Sequence, residues 1–171
     1  MKASSKMANN KRNERIERRL GNILKNSGLT ISAAESCTGG RIAHLITTIS
    51  GSSEYFLGSV TSYAISVKET ILGVPSSTIN DNGVVSSEVA AAMAEGVRRI
   101  TGSTFAISTT GLAEGGDDRY PEGTVWIGVS GPEGTETVIF HSDKDRKGNI
   151  KQFTDKALTI LYNYICKHLN S

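Results

Sequence analysis

Leu29-Thr30-Ile31-Ser32-Ala33-Ala34-Glu35-Ser36-Cys37-Thr38-Gly39-Gly40 decides the fold class of this chain. The β-prone run Leu29 to Ala33 feeds into a turn that holds a hydroxyl, a thiol and two glycines, and a helical pattern follows. In an α/β protein such a strand-to-helix turn lies at the carboxyl end of a strand, where ligands bind. The free N–H groups of the next helix can hold an anion or a developing oxyanion there. Ser36 is therefore the first candidate nucleophile. The same residues also meet a plainer need, because Ser and Thr before a helix are common N-caps and paired glycines are common turn residues.

A second constellation lies about thirty residues on. Val60-Thr61-Ser62-Tyr63-Ala64 reads as another strand, and Lys68 falls in the first turn of the helix that follows, with Ile71 and Leu72 on its apolar side. A strand-end Ser beside a neighbouring strand's Tyr and Lys can build a Ser-Lys hydrolase site.

Outward from these blocks, the periodicity predicts helices at about 13–27, 39–49 and 66–72, a loop, and an Ala-rich helix from Ser86 to about Thr101. Strands are predicted at 29–34, 56–64, Phe105 to Thr109, 123–130 and 135–141, the last two joined by the hairpin signal Ser130-Gly131-Pro132-Glu133-Gly134. A final helix at about 147–168 carries an apolar stripe of Phe153, Leu158, Leu161, Tyr162 and Ile165. Helices between strands imply an α/β fold: a three-layer α/β/α sandwich on a mixed, mostly parallel central sheet. With 171 residues and 37% hydrophobic content, the chain holds one sizeable core. Residues 1–12 read as a flexible tail and 13–171 as a single domain.

Composition narrows the partners. A net charge of +2 is nearly neutral, and the four arginines between Arg12 and Arg19 are interleaved with Glu14 and Glu17, so no nucleic-acid face is expected. Cys37 and Cys166 make no disulfide framework, and no stretch approaches the length of a membrane span, which points to a cytoplasmic protein with no membrane partner. His44, His141 and His168 lack metal spacing, and Glu114, Asp117, Asp118 and Glu122 sit in a Gly- and Pro-containing solvated loop, so no metal and no cofactor is expected. Four residues separate Tyr63 from Lys68, against three in the short-chain dehydrogenases, and neither a Gly-x-Gly-x-x-Gly nor a P-loop is present.

Several blocks in order resemble the CinA C-terminal domain family, which includes the nicotinamide-nucleotide amidases. They are Ala34 to Gly40, Gly51-Ser52-Ser53 with Phe56, Thr61 to Lys68, Leu72-Gly73-Val74, Gly83-Val84-Val85-Ser86 and Gly123-Thr124-Val125-Trp126, and the likeness runs from about Leu20 to Leu161. The resemblance implies hydrolysis of the carboxamide of nicotinamide mononucleotide to the nicotinate nucleotide and ammonia. Ser36 would be the nucleophile, neutral Lys68 the base and Tyr63 an orienting or relaying hydroxyl, with Thr110 completing the polar site. Thr38, Gly39, Gly40, Gly111 and Arg146 would bind substrate, with N–H groups near Thr38 and Gly39 facing an oxyanion. The substrate partner would be a small nucleotide, and the resemblance suggests a homodimer.

Two departures stand out against the family pattern. Glu114 replaces a usual glycine, and Tyr120 stands where a Lys often precedes Pro121. Many relatives carry an N-terminal nucleotide-pyrophosphatase-like domain, which this sequence lacks. The alternative expectation is thus a catalytically weak or inactive paralogue that binds a nucleotide without hydrolysing it. Glu114 beside a phosphate-binding pocket should weaken nucleotide handling unless Arg119 or Arg146 neutralises it.

Overall fold

The computed structural model describes residues 14–170, so the tail expected at 1–12 lies outside the described residues. Its centre is a five-stranded sheet in the order β2-β1-β3-β4-β5, formed by Ile31–Glu35 (β1), Phe56–Thr61 (β2), Phe105–Leu112 (β3), Thr124–Gly131 (β4) and Gly134–His141 (β5). β2, β1 and β3 run parallel, and the β4–β5 hairpin adds antiparallel strands to one side. The hairpin closes at the paired Gly131 and Gly134, around Pro132 and Glu133.

Alternation along β1 divides the core. Ile31 and Ala33 point to one face, where they join a cluster with Ile107, Val125, Ile127 and Phe153. That face is covered by helices Ile16–Leu24 (α1), Arg41–Thr47 (α2) and Arg146–Leu169 (α6). Ala34 and Ala106 point to the other face and pack with Leu72, Val74, Ile79, Val89 and Met93. Helices Ile65–Thr70 (α3), Ser76–Asn82 (α4) and Ser87–Thr101 (α5) lie on this side. The three layers expected from the sequence are present.

Local chemistry sets the element ends. Ser86 caps α5 by accepting the Val89 N–H at 3.3 Å, and Asp145 caps α6 by accepting the Gly148 N–H at 2.8 Å. Helix α4 falls where a loop was expected. Its Ser- and Asn-rich sequence carries no apolar period, and Ile79 alone buries against the α5 side.

Candidate active site

β1 ends at Glu35, and the chain turns through Ser36 to Gly40 before α2 begins. Gly39 and Gly40 have φ values of 60° and 94°, a left-handed backbone that a Cβ would strain. The turn is tied to the neighbouring strand because the Ser36 N–H donates to the Thr109 carbonyl at 3.1 Å.

From the other side, the first turns of α3 bring Lys68 beneath Ser36. Lys68 is 0% exposed, and its Nζ donates to Ser36 Oγ at 3.0 Å and to the Ser62 carbonyl at 2.5 Å. Burial pulls the Lys68 ammonium below its ordinary pKa, opposed in part by nearby Cys37. The Cys37 thiol is pushed up to about 12, chiefly by burial, although a hydrogen bond from Thr109 works the other way. Cys37 is thus a protonated thiol at neutral pH and a poor nucleophile. Ser36, by contrast, has an amine at hydrogen-bond distance.

A cavity of about 380 Å³ opens beside this pair at the carboxyl ends of β1 and β3, and Ser36, Cys37, Tyr63, Thr110, Gly111 and Arg146 all line it. The Tyr63 side chain is on the rim, 65% exposed, and its hydroxyl accepts from Arg146 Nη2 at 3.2 Å; it makes no hydrogen bond to Ser36 or Lys68. Thr110 donates to the Val84 carbonyl at 2.8 Å, which fixes one wall of the cavity. Arg146 Nη1 lies 3.8 Å from Glu114 Oε2, so the condition attached to Glu114 is met by Arg146. Arg119 turns elsewhere and donates to the Asn82 carbonyl.

The expected anion site at the start of α2 is a correction. The amides of Gly40 and Ile42 donate to Glu35 Oε2 at 3.0 Å each, and that of Ala43 to Oε1 at 2.9 Å. Gly39 donates to the Ser36 carbonyl, and the Thr38 hydroxyl is committed to Glu35 at 2.7 Å and Thr109 at 2.9 Å. An internal carboxyl group has taken the donors that a ligand would have used. Thr38, Gly39 and Gly40 accordingly do not line the cavity. The parity of β1 carried the missed signal: Glu35 shares its face with Ile31 and Ala33, so its side chain must turn inward.

The acidic loop is occupied by its own bonds. Asp117 Oδ1 accepts the N–H groups of Arg119 at 2.9 Å and Tyr120 at 2.7 Å, and Glu122 accepts that of Gly115 at 3.2 Å. Asn149 on α6 donates to the Ala113 carbonyl at 3.0 Å and anchors the start of the loop. Among the described residues, no group of three His, Cys, Asp or Glu side chains is placed to hold a metal, and no helix is long and apolar enough to cross a membrane.

Sheet, turn and buried amine define an α/β protein with a Ser-Lys pair at the mouth of a strand-end cavity. The family model described as the CinA C-terminal domain matches residues 13–165. A CinA-like protein of Desulfosudis oleivorans is 44% identical over 85% of this chain, and one of Flavobacterium psychrophilum is 43% identical over 91%. The chain spans 36% and 38% of the length of these two relatives. Among solved structures, a competence damage-inducible protein of Klebsiella pneumoniae superposes with a TM-score of 0.85 at 26% identity, covering 88% of this chain and 95% of that one. A competence/damage inducible protein of Agrobacterium tumefaciens gives 0.78 at 31% identity, covering 86% and 94%. The chain belongs to the CinA C-terminal domain family.

Proposed function

We propose that this protein is an amidase that hydrolyses the carboxamide of nicotinamide mononucleotide to nicotinate mononucleotide and ammonia. The observation that carries the reading is the 3.0 Å contact between Lys68 Nζ and Ser36 Oγ, made by a fully buried amine with a lowered pKa. Neutral Lys68 takes the Ser36 proton as Oγ attacks the carboxamide carbon. The proton then goes to the departing nitrogen, ammonia leaves, and water releases the acid from the acyl-enzyme.

Around that pair, Arg146 on the rim suits the phosphate, while Gly111 in the wall lets β4 pack close, since a Cβ there would meet the Thr124 carbonyl oxygen. Tyr63 acts in this scheme through Arg146 at the substrate end rather than as a proton relay.

The charge of Glu114 is one of the departures behind the binding-module reading. With Arg146 at 3.8 Å that charge has a counter-ion, so the hydrolase reading is preferred. Ammonia release from nicotinamide mononucleotide, compared among wild type, Ser36→Ala and Lys68→Arg, tests it. Turnover lost in both variants supports the reading. Saturable nucleotide binding without ammonia from wild type overturns it.

A further inference from the structure

Glu35 is a charged residue type with 0% exposure, one position before the nucleophile, and the mechanism above gives its side chain no task. Five donors converge on that side chain. Three are main-chain amides, one from Gly40 just before α2 and two from Ile42 and Ala43 in its first turn; the fourth is the Thr38 hydroxyl; the fifth is Ser59 on β2, at 3.3 Å. The Glu35 main chain also accepts the Ser62 N–H at 2.7 Å, and Ser62 in turn accepts from Lys68 Nζ.

We propose that Glu35 is the positioning residue of the Ser36–Lys68 pair, its carboxyl group clamping the nucleophile's turn to α2 on one side and to β2, which leads to the lysine, on the other. This rests on the reading of Ser36 as nucleophile. Each oxygen acts only as an acceptor: Oε2 takes Thr38, Gly40 and Ile42, and Oε1 takes Ala43 and Ser59. A carboxamide of the same shape cannot reproduce this, since its NH₂ must face N–H donors on one side or the other. The turn would shift to relieve that clash, and Ser36 Oγ would move relative to Lys68 Nζ. A shift of this size at a nucleophile costs rate without changing contacts to the far end of a substrate. A helix cap with no further role would lower the melting temperature and leave Ser36 as reactive as before.

The two roles separate when Ser36 reactivity is read directly. An alkyl fluorophosphonate forms an Oγ–P bond as fluoride leaves and the hydroxyl proton passes to Lys68, so its labelling rate reports the pair independently of any amide substrate. Glu35→Gln is expected to slow labelling and lower kcat by about a hundredfold with KM within about twofold, the pattern of a misplaced nucleophile. Ser59→Ala removes one donor while leaving the α2 amides in place. It is expected to slow labelling by about threefold with KM unchanged, and it decides the matter if Glu35→Gln does not fold. Folded variants that label at the wild-type rate overturn the proposal. Labelling of wild type at Ser36 without ammonia release would overturn only the substrate reading, because the labelling comparison would still judge Glu35. Failure of wild type to label at Ser36 would overturn both.

Discussion

Lys68 Nζ lies 2.5 Å from the main-chain carbonyl of Ser62, and this bond constrains what the amine can do for Ser36. A neutral amine has two hydrogens and one lone pair, whereas an ammonium has three hydrogens and none. With one hydrogen given to Ser62, neutral Lys68 still has its lone pair for the Ser36 hydroxyl at 3.0 Å. The carbonyl thus holds the amine in place in either protonation state.

The first prediction is a pH profile. Since burial lowers the Lys68 pKa, kcat/KM should rise as the lysine loses its proton, with the midpoint of the rise below about 10.4, the ordinary lysine value. Lys68→Arg should lose activity at every pH, because a guanidinium does not deprotonate in this range. Ammonia release measured across pH checks both points. A flat profile, or an active arginine variant, would show that Lys68 is an anchor and not a base.

The same lowered pKa appears in stability with a definite sign. Between the folded pKa and the unfolded value of about 10.4, the unfolded chain binds a proton that the folded chain does not, so stability rises with pH across that window. Below the folded pKa the penalty for burying the ammonium is present in full. Lys68→Met removes the group, so its melting temperature relative to wild type should be highest at neutral pH and fall as pH approaches about 10. A difference that stays constant with pH would mean that Lys68 titrates alike in both states.

Ser36→Ala should abolish turnover, by about a thousandfold or more, and leave the fold intact, as it removes one oxygen from a turn held by main-chain bonds. Cys37→Ala should be mild. With its pKa pushed up to about 12, the Cys37 thiol should also resist iodoacetamide at neutral pH. Rapid inactivation by that reagent, through modification at Cys37, would contradict the burial argument.

The first strand, its turn and the covering helices were legible because each carries a local signal. A β-prone run, two turn glycines and long apolar periods need no tertiary context. Helix α4 has no such signal, since only Ile79 of its residues is buried, and it forms because α5 gives that side chain a place to pack. Strand β3 runs on to Leu112 rather than ending near Thr109 because β4 pairs with it as far as Thr124. At the site, residue types and spacing point to Ser36 and Lys68, whereas Glu35 ends a strand buried on both faces, and the donors its carboxyl meets come from α2 and β2. The pairing of Tyr63 with Arg146 is illegible in the sequence for a related reason. Spacing places a side chain near a strand end, but the partner of its hydroxyl, Arg146, comes from the start of a helix 83 positions away.

Thr110 offers a test of wall against chemistry. Its hydroxyl holds the Val84 carbonyl at 2.8 Å, so Thr110→Val should cost about 1 kcal/mol of stability and loosen the cavity wall. The expected kinetic result is a raised KM with the fluorophosphonate labelling rate of Ser36 unchanged. A labelling rate that falls in parallel with kcat would place Thr110 within the reacting group instead.

The rim pair Arg146 and Glu114 decides how the family departure at Glu114 should be read. Their side chains are 45% and 68% exposed and 3.8 Å apart, so the pair contributes at most about 1 kcal/mol and is screened by salt. Glu114→Gly should therefore change KM for nicotinamide mononucleotide by no more than about fivefold, rather than relieve a strong repulsion. Arg146→Ala should be the larger effect. It removes the cation that lines the cavity and the donor to Tyr63, and KM should rise by about tenfold with kcat less affected. Measuring KM for both variants at low and high salt checks the assignment, since the Arg146 effect should shrink as ionic strength rises. An Arg146→Ala enzyme with wild-type KM at low salt would remove Arg146 from the phosphate end and leave it only as a partner of Tyr63 and Glu114.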